Sequence, residues 1–311
     1  IYIFILRKEV YSLDANFIIF FKQLINGLQI GSVYALIALG YTMVYGIIKL
    51  INFAHGDFIM VGGYIIVFTI PFCSAFGIPI YISVIPAIIM CAILAMLVER
   101  IAYKPLRGAG SLSSLITALA VSLLLENLCL VLFTSSPRSV PAMFSKDNVA
   151  LGGISITQSS VLTISISIIV MLILQLFVKK TKLGRSMRAV SEDRQASVLM
   201  GVKVNRTISL TFAIGSALAA VGSLMYVASY PKVEPYMGMM LGLKAFIAAV
   251  LGGIGSIPGA MVGGFVIGIV ESMTKAYINS QLADAFVFGI LIIVLLVKPT
   301  GLLGKNIGEK V

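Results

Sequence analysis

The chain has 311 residues, of which 59% are hydrophobic and only 11% are charged, and its mean hydropathy is +1.06. A soluble domain carries about 25% charged residues, so this composition excludes a soluble enzyme. The formal net charge of +11 does not indicate a nucleic-acid-binding protein. The Lys and Arg residues lie at the ends of apolar blocks, which is the pattern of cytoplasmic flanks of membrane helices.

Metal and redox chemistry are limited by the cysteine and histidine content. Cys73, Cys91 and Cys129 are scattered through apolar segments without a CxxC pair, so we interpret them as small buried hydrophobic residues. His55 is the only histidine, so no His–Cys cluster is available for a metal ion. We therefore predict no cofactor, and an enzymatic triad would have to depend on His55 alone.

The amino-terminal residues 1–16 are interpreted as an extension without an assigned function, because the apolar run 1–6 is too short to cross a bilayer. From residue 17 to 311 we predict a single transmembrane domain. A spanning helix needs about 20 mostly apolar residues. Segments of this kind are 17–38, 79–98, 113–133, 159–178, 207–229 and the shorter 284–297.

Two further apolar regions, 39–72 and 239–275, are interrupted. The first is broken around LINFAHGDF (50–58) and the second around LGGIGSIPGA (251–260). The sequence therefore predicts an all-α polytopic membrane bundle of about eight transmembrane segments, two of which are helices broken at Gly or Pro. If each broken region is re-entrant, the count is six, and if each makes two crossings, it is ten.

The orientation follows from the basic flanks, which mark the cytoplasmic side of a membrane protein. These flanks are Arg7, Lys8 and Lys22 before the first span, Arg100, Lys104 and Arg107 after span 79–98, the loop 179–206, and Lys298, Lys305 and Lys310 after the last span. The loops 135–148 and 230–238 are poorer in Lys and Arg and are predicted to lie outside. Both termini are then expected in the cytoplasm, which requires an even number of crossings.

The two interruptions are candidates for a translocation path. Irregular backbone at membrane depth is tolerated only where protein or a water-filled cavity supplies hydrogen-bond partners, and breaks at matching places in two halves indicate the path of a transporter. The candidate residues are Asn52, His55 and Asp57 in the first break and Gly252, Gly253 and Gly255 in the second. The alternative for neighbouring glycines such as Gly259, Gly263 and Gly264 is close packing of helices.

Four ionisable residues lie within or at the edge of apolar segments, where such groups normally face the interior of a bundle and pair. Glu271 and Lys275 are four residues apart, which predicts an i,i+4 ion pair on one helix. Lys244 is another intramembrane charge. Glu126 either contacts the transported substrate or pairs with a basic residue, and we include it among the candidate path residues.

A basic loop, KKTKLGRSMRAVSEDRQASVLMGVKVNR (179–206), separates two of the spans. Ser191 is a suitable helix N-cap, with Glu192 and Asp193 in the first turn, where the helix dipole favours acids. The short helix is expected to end at Gly201, since glycine commonly terminates helices.

This predicted helix has an apolar face, formed by Ala196, Leu199 and Met200 at i, i+3 and i+4 spacing. Such a face suits either a groove on a soluble partner or the surface of the bilayer. The acids at 192 and 193 favour the protein groove, because the cytosolic leaflet is itself negatively charged.

Three long motifs carry a resemblance to a known family. They are NGLQIGSVYALIALGYTMVYGIIKLINFAHGDFIMVGGY (26–64), GRSMRAVSEDRQASVLMGV (184–202) and GLKAFIAAVLGGIGSIPGAMVGG (242–264). The sequence resembles the branched-chain amino acid ABC-transporter permeases, and in particular the smaller, H-type subunit of the permease pair. The resemblance runs from about residue 17 to the carboxyl terminus and is interrupted mainly at 134–158.

The resemblance implies a multi-pass subunit of an ATP-driven importer in the bacterial inner membrane. Its implied partners are a second, related permease, two cytosolic ABC ATPases and an extracytoplasmic binding protein that delivers Leu, Ile or Val. Residues Glu192 to Met200 with Gly201 correspond to the segment that couples the permease to the ATPase. The chain lacks a GxxxxGK[ST] motif, so ATP hydrolysis is expected from the partner subunits.

Two alternative functions stay open at this point. A permease of the same type for urea or a short amide would share the FAHG and loop patterns. A proton-coupled secondary transporter would use His55, Asp57 and Glu126 as proton carriers, but it would leave the docking loop unexplained.

Overall fold

α-Helices make up most of the chain in the computed structural model, which describes residues 2–49, 52–107, 110–144, 148–151 and 154–304. The helices are α1 (Tyr2–Ile48), α2 (His55–Ala75), α3 (Val84–Val98), α4 (Ser111–Phe133), α5 (Gln158–Lys180), α6 (Lys182–Glu192), α7 (Arg194–Leu199), α8 (Val204–Ser229), α9 (Met237–Gly252), α10 (Ile257–Tyr277) and α11 (Ala283–Val297). Short 3₁₀ turns precede α3 and α11, and a π turn follows α3. The predicted all-α architecture is confirmed.

Four short strands are the exceptions, and they tie connecting segments together. They are β1 (Arg138–Ser139), β2 (Asn148–Leu151), β3 (Ile154–Thr157) and β4 (Lys232–Val233). β2 and β3 form a hairpin, whereas β1 pairs antiparallel with the distant β4. The two loops that were predicted to share the outer side are therefore joined by backbone hydrogen bonds.

Eight helices of the described chain are long and apolar enough to cross a membrane, which agrees with the predicted number. A ninth apolar helix, α9, has 16 residues. α1 and α8 are mostly buried at the centre of the bundle, where α1 packs against α5, α8, α9 and α10. α3, α4, α5 and α11 instead expose apolar side chains such as Val131 and Leu296. This surface fits a hydrocarbon environment and not water.

The contact between α1 and α10 is made by backbone against backbone. Gly27 and Gly31 on α1 face Gly264 and Gly268 on α10, in a small-xxx-small arrangement on each helix. A Cβ atom added at Gly264 would lie 2.5 Å from the amide nitrogen of Ala35. The geometry therefore assigns Gly264 the packing role that was the alternative to a path-lining role.

Two faces of the bundle can be defined from these contacts. The coupling face bears α6 and α7 together with the end of α1 and the 253–255 break. The opposite face bears the end of β3, the start of α5, the end of α8 and Lys275. α1 passes the opposite face at Gln23, whose carbonyl accepts a hydrogen bond from Ser272 (2.8 Å), and it ends at the coupling face.

That both termini lie in the cytoplasm stays a prediction. At the coupling face, the amide of Leu302 donates to the carbonyl of Leu251 (2.8 Å). Residues 17–48 stay within one uninterrupted helix, so the first broken region adds only α2. The second broken region is divided into α9 and α10, and nine apolar helices of the described chain result.

Some predictions fall on residues without a described position. Lys305, Lys310, Leu50 and Ile51 lie outside the described residues. α1 is continuous across the boundary proposed at residue 16, and the division into an extension and a transmembrane domain stays a prediction.

Candidate functional site at the coupling face and the two chain breaks

The tip of α7 is the most prominent apolar surface at the coupling face. Leu199 is 88% exposed and Met200 is 83% exposed, and Val198 beside them is also exposed. Gly201 follows with φ +80°, a backbone conformation that glycine adopts without strain. Its position at the end of the helix agrees with the predicted terminating role. Nothing in the described chain covers this knob, which consists of residues 198–200.

The start of α7 differs from the prediction. Asp193, and not Ser191, is the N-cap: its Oδ1 accepts hydrogen bonds from the amides of Gln195 (2.7 Å) and Ala196 (3.0 Å). Ser191 lies inside α6, where its hydroxyl donates to the carbonyl of Arg188. The extended backbone of Asp193 at φ −150° separates the two helices.

The predicted residues Glu192 and Ala196 lie on different helices. Glu192 is the last residue of α6 and is exposed, and Ala196 is exposed on α7. The helix predicted over 192–200 is therefore the six-residue α7, preceded by a helix that the sequence analysis did not identify.

α6 anchors this knob beneath the bundle. The hydroxyl of Thr181 accepts a hydrogen bond from the amide of Gly184 (3.0 Å), which caps α6 immediately after α5. Met187 and Val190 are buried, and Met187 borders a cavity of about 90 Å³ that also touches Gly46 and Gly255. The buried face of α6 thus lies next to both chain breaks.

Arg194 connects α7 directly to the first break, a role that the sequence analysis missed. Its Nη2 donates to the carbonyl of Ile48 at 2.9 Å, across 146 residues of sequence. Ile48 is the last residue of α1, so its carbonyl has no partner within the helix. Arg194 is one of eight Lys and Arg residues in the loop 179–206, and nothing in the sequence distinguishes it from a lipid-facing charge.

The first break brings the predicted path residues into the interior of the bundle. α2 begins at His55. The His55 ring lies against Gly40, near the end of α1, and 4.6 Å from the ring of Tyr41. Asp57 follows in the first turn of α2, and Asn52 accepts a 2.6 Å hydrogen bond from the hydroxyl of Tyr103.

These side chains are buried without full hydrogen bonding. Within the described residues, no partner is present for Nδ2 of Asn52, Nε2 of His55, Oδ2 of Asp57 or Oγ1 of Thr42. All four residues are at most 3% exposed. Leaving a buried polar group unpaired costs about 1–3 kcal/mol. The first break is therefore a concentration of unsatisfied polar groups in the interior of the bundle.

The second break is built from glycines in conformations that other residues avoid. Gly253 has φ +100° and Gly255 has φ +95°. A Cβ atom at Gly253 would lie 2.6 Å from the Cα of Gly304, because the carboxyl-terminal segment folds back against the break. The backbone of Gly252 packs directly on the backbone of Gly259, so this pair of glycines brings α9 and α10 into close contact.

α10 then restarts at a capped end. The hydroxyl of Ser256 accepts from the amide of Gly259 (3.2 Å), and Pro258 occupies the first turn, where its missing N–H is not needed. Gly263 faces Ala248 on α9 without room for a side chain. The glycines after the break therefore serve helix packing, whereas Gly253 and Gly255 form the break itself.

The two breaks meet in the structure. A Cβ atom on Gly46 would lie 3.7 Å from the Cα of Gly255, and Asn52 and Ile254 border the same small cavity. That cavity has a volume of about 10 Å³, which is close to the minimum for a single water molecule. This conformation is therefore closed at the junction of the breaks.

Glu126 is placed on α4, one helix away from the breaks. It is 5% exposed, and α4 packs against α2. The ion pairs found within the described residues involve other side chains, so the basic partner considered for Glu126 is not found there.

A buried charge cluster lies toward the opposite face. Oε1 of Glu271 is 2.6 Å from Nζ of Lys275, which confirms the predicted i,i+4 pair, and 2.9 Å from Nζ of Lys244. Oε2 of Glu271 accepts from the hydroxyl of Tyr34 (2.7 Å), and Lys244 also contacts Asp284 (2.7 Å). The cluster therefore joins α1, α9, α10 and α11. The sequence analysis identified the local pair but missed Tyr34 and Asp284.

Comparison with known proteins gives concordant matches over nearly the whole chain. The profile of the family described as "Branched-chain amino acid transport system / permease component" matches residues 23–296. The chain is 42% identical over 305 residues to the high-affinity branched-chain amino acid transport system permease protein BraD of Pseudomonas aeruginosa, with 94% of this chain and 98% of BraD covered.

Two further relatives extend this similarity. Identity is 40% over 311 residues to the permease protein LivH of the high-affinity branched-chain amino acid transport system of Escherichia coli K12, covering 96% of this chain and all of LivH. It is 30% over 307 residues to the probable branched-chain amino acid transport permease protein LivH of Methanocaldococcus jannaschii, covering 92% and 93%.

Proposed function

Because this chain belongs to the family of permease components of branched-chain amino acid transport systems, we propose that it is the membrane-spanning subunit of an ATP-driven importer of Leu, Ile and Val. Its eight long apolar helices fit a multi-pass protein of the bacterial inner membrane. The relatives favour branched-chain amino acids over urea or short amides. The single observation that best supports an ATP-driven mechanism is the exposed apolar knob at 198–200 on helices anchored beside both breaks.

The importer requires partner subunits. Two cytosolic ABC ATPases hydrolyse ATP, and a groove on one of them receives the knob of α7, since a short helix with an apolar face suits such a groove. A second, related permease completes the membrane part, and an extracytoplasmic binding protein delivers the amino acid to the opposite face. The coupling residues in this assignment are Glu192, Asp193, Ala196, Leu199, Met200 and Gly201.

Movement of the ATPases reaches the breaks by two routes. The first is the hydrogen bond from Arg194 to the carbonyl of Ile48, and the second is the packing of Met187 beside Gly46 and Gly255. Closure of the ATPases shifts α6 and α7 together, and the helices that meet at the breaks rock relative to one another.

The unsatisfied polar atoms at the first break supply the temporary contacts that a zwitterion needs in the membrane. Asn52, His55 and Asp57 provide a donor and acceptors that lack partners in the closed conformation. When the breaks separate, these groups bind the ammonium and carboxylate groups in passing, while Gly252, Gly253 and Gly255 keep the backbone free of side chains. Glu126 borders this region from α4.

The energy source is the direct test of this function. Leucine uptake by cells that express the complete set of subunits is expected to persist when a protonophore collapses the proton gradient and ATP is maintained. Uptake is expected to disappear when the ATPase subunits are omitted. Loss of uptake with the proton gradient, at constant ATP, would instead support a proton-coupled transporter.

The role of Arg194 gives a second expected result. Replacing Arg194 with Ala should lower leucine uptake by about tenfold or more, because a hydrogen bond to a charged donor contributes about 1.5–3 kcal/mol. Arg194→Lys should recover part of the loss, since an ammonium group can reach one carbonyl. ATPase co-purification should be unchanged in both variants, because the knob at 198–200 is intact.

The readout that separates coupling from assembly is the ATPase activity of the purified complex. In Arg194→Ala, basal hydrolysis should persist while the stimulation by substrate-loaded binding protein is lost. If stimulation and uptake both remain at the level of the unmodified protein, Arg194 has no part in coupling.

A further inference from the structure

A polar cavity opens at the opposite face, away from the chain breaks. It has a volume of about 560 Å³, within the size range of small-molecule sites. Its walls include side-chain amides that are held in place by hydrogen bonds. Gln29 donates to Ser229 (2.7 Å) and accepts from Ser160 (2.6 Å), and Ser272 donates to Oε1 of Gln23 (3.1 Å).

A second lobe of about 260 Å³ adjoins this cavity. Met237, Met240 and Leu241 line part of it, together with Glu234, Lys244 and several tyrosine side chains. Tyr230, Glu271 and Lys275 line both lobes, as does Ile30, so the buried charge cluster stands where the two lobes meet. The cavity thus combines fixed polar groups, a group of apolar side chains in the second lobe and a pair of opposite charges between the two lobes.

Some hydrogen-bonding positions of the charge cluster are unused at this junction. The Lys275 ammonium has three N–H donors and uses one contact on Glu271, and its side chain is 42% exposed. A carboxylate has about four acceptor positions, and Glu271 uses three, for Lys244, Lys275 and Tyr34. Donors on Lys275 and one acceptor position on Glu271 are therefore left for a ligand that carries both charges.

We propose that this junction is a binding site for the zwitterion of a branched-chain amino acid on the entry side of the permease. The α-carboxylate binds the Lys275 ammonium, the α-ammonium binds Glu271, and the aliphatic side chain enters the lobe at Met237, Met240 and Leu241. The site rests on the proposed function for the identity of its ligand. It is separate from the breaks, and it receives the amino acid before the path opens.

The alternative is that the cluster only fastens α1, α9, α10 and α11 together. A purely structural pair does not need an open cavity beside it, whereas Lys275 is 42% exposed and lines a cavity of suitable volume. Lys244 and Tyr34 already hold Glu271 without Lys275. The geometry therefore leaves Lys275 available for a ligand.

Protection of a cysteine in the cavity provides the test. The Ser159→Cys variant is made in a Cys73→Ser background and assembled into the complete transporter. It is labelled from the outer side with an impermeant maleimide, in the absence of nucleotide and binding protein. Cys91 and Cys129 are buried. Leucine at tenfold its Kd should slow labelling by about tenfold, by mass action. Leucinamide and isovalerate, which each lack one charge, should not protect.

Variants of the charge pair distinguish a ligand site from a structural contact. Lys275→Gln should abolish the protection by leucine while the cysteine introduced at position 159 still reacts, and Lys275→Arg should retain it. Lys22→Gln, on an exposed lysine near the same face, is the matched control and should keep full protection. Alanine should protect about tenfold less well than leucine, because its methyl group does not reach the apolar side chains of Met237, Met240 and Leu241.

Equal protection in Lys275→Gln, or protection by leucinamide, would overturn the site. A cysteine at position 159 that does not react in the assembled transporter would also overturn it, because the substrate could not enter. Since labelling is measured without transport, these outcomes leave the uptake test of the proposed function independent.

Discussion

Replacing Leu199 with Asp is expected to reduce leucine uptake to background. Leu199 is 88% exposed at the tip of α7 and is proposed to insert into an apolar groove of the ATPase. A carboxylate buried there without a partner costs several kcal/mol. The amount of permease in the membrane should not change, because a surface substitution usually alters stability by no more than about 0.5 kcal/mol. Uptake and ATPase co-purification should therefore fall together while membrane insertion is retained.

Two control variants distinguish the effect of the added charge from the effect of the changed side-chain shape. Gln195→Glu adds the same charge to another exposed position on α7 and should support near-normal uptake. Leu199→Met keeps an apolar side chain of similar volume and should bind the ATPase. If Leu199→Asp transports leucine and retains its ATPase, the knob at 198–200 is not the docking surface.

The membrane architecture could be predicted from the sequence because it depends on composition along short stretches. About 20 apolar residues in succession define a span without knowledge of the neighbouring helices. The number of crossings could not be predicted from hydropathy alone, because it depends on how a polar interruption folds. Lys49 has φ +61° and ends α1 at the coupling face, while α2 starts deep in the bundle, and hydropathy does not distinguish this from a re-entrant loop.

The start of helix α7 could also be predicted in part from the sequence. The sequence offers Ser191 and Asp193, both good N-caps, and propensity alone does not choose between them. The choice is made by α6, whose Met187 and Val190 are buried against the bundle and keep the helix intact through Glu192. The cap therefore moves two residues along the chain for a tertiary reason.

Contacts between distant residues were beyond sequence reasoning. The Glu271–Lys275 pair follows from helix geometry, but Tyr34 is 237 residues from its partner Glu271. The hydrogen bond of Arg194 to Ile48 likewise has no local signature. Both proposed roles, in coupling and in substrate binding, depend on such contacts.

Replacing Gly268 with Val is expected to have the largest effect on stability. Gly268 lies against the backbone of Gly27 and Gly31 on α1, and even a Cβ atom would overlap both. Helices in a membrane associate mainly through close packing of this kind, so a branched side chain must separate α1 from α10. Overpacking costs about 1–3 kcal/mol, and backbone atoms cannot move aside as side chains do. We expect the melting midpoint to fall by about 5–10 °C.

Gly289 on α11 is the matched control for this substitution. It is also a helical glycine in an apolar segment, but a Cβ atom there would have no neighbour within 4 Å. Gly289→Val should leave the melting midpoint nearly unchanged, because valine is an acceptable helix residue and glycine is a poor one. The chain has no tryptophan, so melting is followed by size-exclusion chromatography of a fluorescent fusion. Of these two positions, 268 lacks space for a side chain and 289 does not. Equal midpoints for the two variants would therefore show that the packing of α1 on α10 does not depend on backbone contact.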